Sequence, residues 1–349
     1  MSVTDLETRV PVGAVLEWAG GLVEPALRKA VAELPAPEGR IAGYHRGWHD
    51  ADGCPLPPTA GTGGKAVRPA LVFLSACAVG GRAADAVAGA VAVELIHDFS
   101  LLHDDVIDGD RLRRHRPAVW TVFGTPAAVL AGDALLVAAL RTLSGGAAGP
   151  AGEAAAGEML RMLGELMLGQ SRDVEFAGTG QVGAEEYLAM AAGKTGALMA
   201  CACAVGGILA GARPQQVDGL RDFGRHLGVA FQCVDDLIGI WGASACSGKP
   251  VGADLAARKK SLPVVAALTG DSEAGRRLAE LYGRAQPLEA ADIALAADLV
   301  EEAGGRVATE REAARHTDLA MRALSRAEPD AASYRQLQEL AALLTRRER

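Results

Sequence analysis

Apolar residues in this chain return at helical spacing in run after run, and they rarely alternate with polar ones as a half-buried strand requires. Runs of the helical kind cover 12–34, 67–79, 84–108, 126–143, 152–175, 184–211, 215–241, 261–269, 273–284, 289–304, 307–326 and 330–346. Ala and Leu dominate them, and both favour helix. A chain of 349 residues that is 50% apolar buries a large core, so the expectation is an all-α fold. No repeat of fixed period appears, which argues against a solenoid. Nothing between the helical runs has the composition of a domain linker. The chain therefore reads as a single domain over 1–349, one large helical bundle with its polar residues gathered inward at one end. Residues 40–64, rich in Gly and Pro, read as a loop. Residues 110–117 read as a basic turn, 144–157 as an exposed connection and 242–260 as a second polar loop.

Charge and cysteine usage narrow the function. A formal charge of −8 makes non-specific binding to nucleic acid a poor fit, because the phosphate backbone selects basic surfaces. The six cysteines (Cys54, Cys77, Cys201, Cys203, Cys233 and Cys246) form no CxxC pair and no metal-ligand spacing, as expected of reduced thiols in a cytoplasmic protein. Met1 to Pro11 carries Asp5, Glu7 and Arg9 without an apolar core, so no secretory signal is expected there. No stretch long enough to span a bilayer is free of charge or glycine, so the expectation is a soluble, cytoplasmic protein that a greasy product can still draw to a membrane surface.

The chemistry concentrates in two acidic segments. In ELIHDFSLLHDDVIDGD, residues 94–110, Asp104 and Asp108 are four apart and share a helix face, with Asp105 beside them. Like charges at that spacing cost a helix about 0.2–0.5 kcal/mol per pair, so a cation is expected among them. All-oxygen donors without cysteine favour Mg²⁺, which binds one or two carboxylates and completes its shell with water and substrate phosphate. The segment FQCVDDLIGIWG, residues 231–242, repeats the theme with Asp235 and Asp236 and with Gln232 one turn earlier. Two carboxylate clusters on separate apolar helices can hold metal ions between them in a bundle core. Basic groups supply the third part: Lys65 and Arg68 after a glycine pair, the run Arg113-Arg114-His115-Arg116, Lys194, Lys249 and Lys259-Lys260. Arginine grips phosphate oxygens bidentately and lysine acts as a point charge. Carboxylates and cations together suit a metal-bridged diphosphate, and a second diphosphate without metal would need the cations alone.

In order, GGKAVRP at 63–69, HDDVIDGDRLRRHRP at 103–117, GQSRD at 169–173, Lys194-Thr195, FQCVDD at 231–236 and GKPVGADLAARKKSLP at 248–263 make the chain resemble the trans-isoprenyl diphosphate synthases. The resemblance covers about 63–263. It implies the type I isoprenoid synthase fold, a helical bundle with a central cavity, and condensation of an allylic diphosphate with isopentenyl diphosphate. It assigns Asp104, Asp108 and Asp235 to Mg²⁺, three ions per site, with Asp105 and Asp236 in support. Arg113, Lys194 and Lys249 would touch the allylic diphosphate. Lys65, Arg68, His97 and Arg114 would hold isopentenyl diphosphate. Thr195 and Gln232 would shield the developing carbocation and position diphosphate, and Lys259 would add to the substrate site. It also implies a homodimer.

Two positions depart from the family pattern: Gly239 stands where a third Asp is usual, and RRHRP replaces a commoner RRG-type turn. The same fold and metal motifs serve class I terpene cyclases, and a non-catalytic subunit of a heteromeric synthase is a further alternative. The four residues for a second diphosphate favour condensation over cyclisation, and five retained aspartates favour an active enzyme. Product length is expected to depend on Phe99 and Ser100. A helix rises about 1.5 Å per residue, so Phe99 lies about 7.5 Å deeper than Asp104, a floor for the growing hydrocarbon with the small Ser100 beside it. By resemblance this arrangement suits geranylgeranyl diphosphate, with farnesyl or longer products as alternatives.

Overall fold

The computed structural model describes residues 10–57, 66–144, 149–178, 181–242 and 252–346. The described residues are almost all helical and divide into two compact units.

The first unit comprises residues 1–161, 201–221 and 324–339. Its core is built from α1 (Val12–Ala32), α2 (Ala36–His45), α3 (Val67–Ala78), α4 (Val87–Ile107), α5 (Val119–Phe123) and α6 (Thr125–Ser144). α1 buries Val15, Ala19, Val23, Leu27 and Val31, one residue per turn, as a single-striped amphipathic helix should. α3 is buried at every position from Pro69 to Ala78, and α4 at most of its positions, so both run through the middle of the core. Small residues let backbones close up there: a Cβ on Gly206 would stand 2.2 Å from the Val72 carbonyl oxygen.

The second unit comprises residues 162–200, 222–323 and 340–349. The helix α7 (Gly149–Gly178) belongs to it from residue 162 onward, followed by α8 (Ala184–Ala191), a π-helical turn over Ala192–Gly196, and α9 (Ala197–Leu209), which belongs to the first unit from Cys201. Next come α10 (Pro214–Trp241), α11 (Ala253–Ala256), α12 (Leu262–Thr269), α13 (Glu273–Tyr282), α14 (Ala290–Glu302), α15 (Gly305–Arg326) and α16 (Ala331–Thr345), of which residues 214–221, 324–326 and 331–339 belong to the first unit. One apolar cluster joins Tyr187, Met190, Val229, Cys233 and Val265; another joins Ile240, Leu255, Val264, Leu278 and Leu299.

Three sequence expectations change. Part of the loop expected over 40–64 is helix, because α2 continues to His45. Its Gly39 and Gly43 weaken the sequence signal, but Gly43 is demanded by packing: a Cβ there would lie 2.3 Å from Nε2 of His49. The connection expected over 144–157 is helical from Gly149 onward. The basic turn at 110–117 is a hairpin in which β1 (Leu112–Arg113) pairs with β2 (Arg116–Pro117). Three helices are long and apolar enough to cross a membrane by length and composition: Ala83–Ile107, Thr125–Ser144 and Ala184–Leu209. The first and third bury 67% of such a stretch within the protein, which explains their greasiness as core.

Candidate active site

In the first unit the acidic motif closes α4. Asp104 and Asp105 stand in its last turn, and Asp108 caps it, its N–H bonding the Asp104 carbonyl at 2.8 Å. Negative charge at a helix C-terminus opposes the helix dipole, and no basic residue lies in that turn, so the motif is unfavourable for the helix alone. Asp104 is half-buried and Asp108 exposed. Asp105 points inward, 1% exposed, and accepts from Nε of Arg113 at 2.9 Å and from its Nη2. Its other oxygen is buried without a hydrogen-bond partner. Burial raises the Asp105 pKa and Arg113 works against that rise. Asp105 therefore serves Arg113, which in turn is presented by the hairpin.

That hairpin turns through two residues, Arg114 and His115, both left-handed at φ +52° and +63°. A two-residue loop of this hand matches the twist of a hairpin, but the conformation is strained for residues with a side chain. It carries Arg114 to Arg68 and His97. Burial lowers the pKa of both arginines, and each feels Glu94 and Asp98 of α4. Burial, and then Arg68, holds His97 well below the usual imidazole range, so it is neutral at pH 7. Nε of Arg68 is buried without a hydrogen-bond partner. The structure thus assembles Arg68, His97 and Arg114; Lys65 lies outside the described residues.

Beneath these cations lies a group that the sequence reading missed. Arg46, just past α2, donates from Nη2 to Glu94 at 2.9 Å and from Nε to Asp98. His45 Nε2 approaches Asp98 to 3.6 Å. Burial opposes charge on Asp98, yet Arg46 holds its carboxyl well below the ordinary range. The available signal was Glu94 and Asp98, four apart in an apolar helix.

In the second unit Asp235 and Asp236 occupy opposite circumstances. Asp235 is exposed; Asp236 is 1% exposed. Asp236 accepts from Tyr187 Oη, from the Leu262 N–H at 2.9 Å and from Gln232 Nε2 at 3.0 Å. Burial pushes its pKa up to about 6, against the pull of Lys259 and these donors. Thr195 donates to Gln232 at 2.7 Å, so Thr195, Gln232 and Asp236 form one chain of hydrogen bonds. Lys194 sits in the π-helical turn and donates to Asp173 at 2.6 Å. Such turns are frequent at functional sites because the extra residue re-aims side chains. Lys259 is an exposed residue whose ammonium has a raised pKa: lost solvation works against its charge, and Asp254, Asp236, Asp173 and Asp235 outweigh that loss.

Gly239 has a physical reason. A Cβ there would stand 2.2 Å from Oδ2 of Asp254, so a carboxylate from another segment occupies the space beside this turn of α10. Asp254, Asp173 and Tyr187 are therefore site residues to which the sequence reading gave no role. Lys249 lies outside the described residues. Phe99 is buried and packs edge-to-face on His103 with centroids 4.8 Å apart; His103 in turn lies 3.1 Å from the Val129 carbonyl of α6. Ser100 is half-buried, its hydroxyl turned back to the His97 carbonyl at 2.8 Å.

Asp104 and Asp108 in the first unit and Asp235 in the second each offer oxygen donors of the kind that suit a hard divalent cation. Among the described residues no three His, Cys, Asp or Glu side chains converge as a ready-made cage, so substrate oxygens and water would complete its shell. Helical units carrying accessible carboxylates and half-buried arginines and lysines suit a protein that handles diphosphates with metal assistance.

The polyprenyl synthetase family model matches residues 55–300. A geranylgeranyl diphosphate synthase of Mycobacterium tuberculosis is 45% identical over 96% of this chain and 94% of its own. A (2E,6E)-farnesyl diphosphate synthase of Mycobacterium bovis is also 45% identical, over 86% of this chain and 84% of its own. Among solved structures, a polyprenyl synthetase from Streptomyces coelicolor superposes with a TM-score of 0.90 at 42% identity, covering 95% of this chain and 99% of the other. A polyprenyl synthase from Caulobacter crescentus, complexed with calcium and isoprenyl diphosphate, gives 0.81 at 28% identity over 97% and 98%. The chain belongs to the polyprenyl synthetase family and is an isoprenyl diphosphate synthase of all-α fold. Members of this family work with a divalent metal ion.

Proposed function

We propose that the chain joins an allylic diphosphate to isopentenyl diphosphate and makes geranylgeranyl diphosphate, acting as one domain over 1–349 in the cytoplasm. The observation that carries the condensation is the pair of guanidiniums Arg68 and Arg114, with the neutral His97 beside them, in the same unit as Asp104 and Asp108. A cyclase ionises one diphosphate and has no use for a second anion site.

Asp104 and Asp108, supported by Asp105, and Asp235, supported by Asp236, would hold Mg²⁺, three ions with substrate bound. Bound metal neutralises charge on the departing pyrophosphate. Arg113, Lys194 and Lys249 add fixed positive charge to that leaving group, so the allylic C–O bond breaks and its electron pair leaves with the pyrophosphate. Arg68, His97 and Arg114, with Lys65, hold isopentenyl diphosphate so that its double bond attacks the allylic carbon and forms the new C–C bond. A proton leaves the former isopentenyl unit, and pyrophosphate accepts it. Thr195 and Gln232, joined by a hydrogen bond, would shield the developing carbocation and position diphosphate, and Lys259 would add positive charge to the substrate site.

Twenty carbons are favoured by the buried Phe99 with the small Ser100 after it, and by the geranylgeranyl synthase relative that covers more of this chain than the farnesyl one. Free thiols at Cys77, Cys201, Cys203 and Cys233 suit a reducing compartment. A homodimer is supported by α6, whose Leu130 and Val137 are 58% and 64% exposed two turns apart. The test is incubation of the purified chain with Mg²⁺, isopentenyl diphosphate and each allylic primer, followed by chromatography of the products. Geranylgeranyl diphosphate is expected. Consumption of an allylic diphosphate without isopentenyl diphosphate would indicate a cyclase, and no consumption of either a non-catalytic subunit.

A further inference from the structure

Arg46 lies at a junction that no motif of the reaction includes. Its side chain is 3% exposed, and its donors go to Glu94 and Asp98, themselves 8% and 2% exposed. Two buried carboxylates one turn apart on α4 repel each other and are costly without a partner, so Arg46 is what makes the pair tenable. Those carboxylates are also the anions that act on Arg68 and Arg114. In this cluster three guanidiniums face two carboxylates, which leaves it one positive charge in excess. The guanidinium of Arg46 is turned inward on its acids, so it is no substrate contact itself.

A second set of contacts ties the same end of α2 to the hairpin. Tyr44 Oη donates to the Pro117 carbonyl at 2.9 Å. Arg116 donates to the Tyr44 carbonyl at 2.9 Å and to the His49 carbonyl at 3.2 Å, and its guanidinium lies 4.4 Å from the Tyr44 ring centre. Neighbouring residues 44 and 46 therefore clamp the hairpin that bears Arg114 on one side and the helix that bears His97 on the other. We propose that Arg46 is a positioning residue for isopentenyl diphosphate: by pairing with Glu94 and Asp98 it fixes the buried carboxylates against which Arg68 and Arg114 are held, and so sets affinity at the second diphosphate site. This rests on the assignment of Arg68, His97 and Arg114 to that substrate.

The experiment measures steady-state kinetics and metal-free calorimetric binding of isopentenyl diphosphate for the full chain, for Arg46→Gln and for Asp98→Asn. Each variant should raise KM for isopentenyl diphosphate at least tenfold and weaken metal-free binding to match, with KM for the allylic primer changed less than twofold. The double variant should be little worse than either single one, because the two residues act as a pair. If Arg46→Gln does not fold, Arg46→Lys keeps the charge but loses the planar fork, and a rise of about threefold or more is expected. Unchanged affinity in a folded variant, or an equal rise in KM for both substrates, would overturn the positioning role. A wild-type chain that neither binds isopentenyl diphosphate nor turns it over would overturn instead the assignment on which it rests.

Discussion

Asp235 and Asp236 show how neighbouring residues of one type divide the work. Asp236 faces inward and holds Tyr187, Gln232 and the backbone of Leu262 together, whereas Asp235 stands exposed on the outer side of the same turn. Asp104→Ala and Asp235→Ala should each nearly abolish Mg²⁺-dependent turnover at saturating substrate, and retained activity in either would refute its metal role. Asp236→Ala should be milder on turnover but should lower the melting temperature, because it strands buried donors. A pH effect belongs to a different pair. Nε2 of His316 accepts from Arg315 Nη2 at 3.0 Å, so its proton sits on Nδ1 and points to His226 Nδ1 at 3.1 Å. Glu312 is 3.9 Å from the same ring. Burial, then Arg315 and His226, lower the His316 pKa from 6.5 to about 4. The unfolded chain takes up this proton near 6.5 and the folded one only near 4, so the contribution is fully present above pH 6.5 and is lost as pH falls toward 4. The slope is at most about 1.4 kcal/mol per pH unit. Urea midpoints should drop between pH 7 and pH 5, and His316→Gln should flatten that drop.

At the scale of elements, strain and close approach position the cations. The hairpin keeps Arg114 left-handed, so Arg114→Gly should relieve strain of about 1 kcal/mol while raising KM for isopentenyl diphosphate. Stability and affinity would move in opposite directions, and thermal melts beside kinetics would show it. Arg114→Ala should raise the same KM without the gain in stability, and an equal effect on the allylic substrate would refute the assignment. Lys194 depends on another device. A Cβ on Gly169 of α7 would stand 2.2 Å from the backbone nitrogen of Lys194. Gly169→Ala must push α7 off the π-helical turn, costing about 1–3 kcal/mol by thermal melt and reducing kcat with it.

For the molecule as a whole, two properties follow from surfaces rather than from charge. Phe99→Ala should lengthen the product by removing a ring from the wall below Asp104, and Ser100→Phe should shorten it. An unchanged product spectrum in active Phe99→Ala would place the floor on another helix. The exposed face of α6 predicts assembly: light scattering should give twice the chain mass, and Leu130→Glu with Val137→Glu should shift it toward monomer.

The helices and both acidic motifs were legible in the sequence because helical period and a charge placed in an apolar run are local signals. Boundaries came within a few residues for α1, α3, α6 and α10 for that reason. α2 was not legible, since its two glycines mimic a loop, and the ring of His49, folded back on Gly43, explains that glycine only once the chain is folded. The partners of the charges were decided by tertiary structure alone. Arg46 meets Asp98 across 52 residues of sequence, Tyr187 meets Asp236 across 49, and Asp254 fills the space at Gly239. Sequence thus determined which groups are ionic and that they lie on helices. Which carboxylates are buried in structural pairs and which stay accessible depends on long-range packing, because burial and pairing are properties of the assembled core.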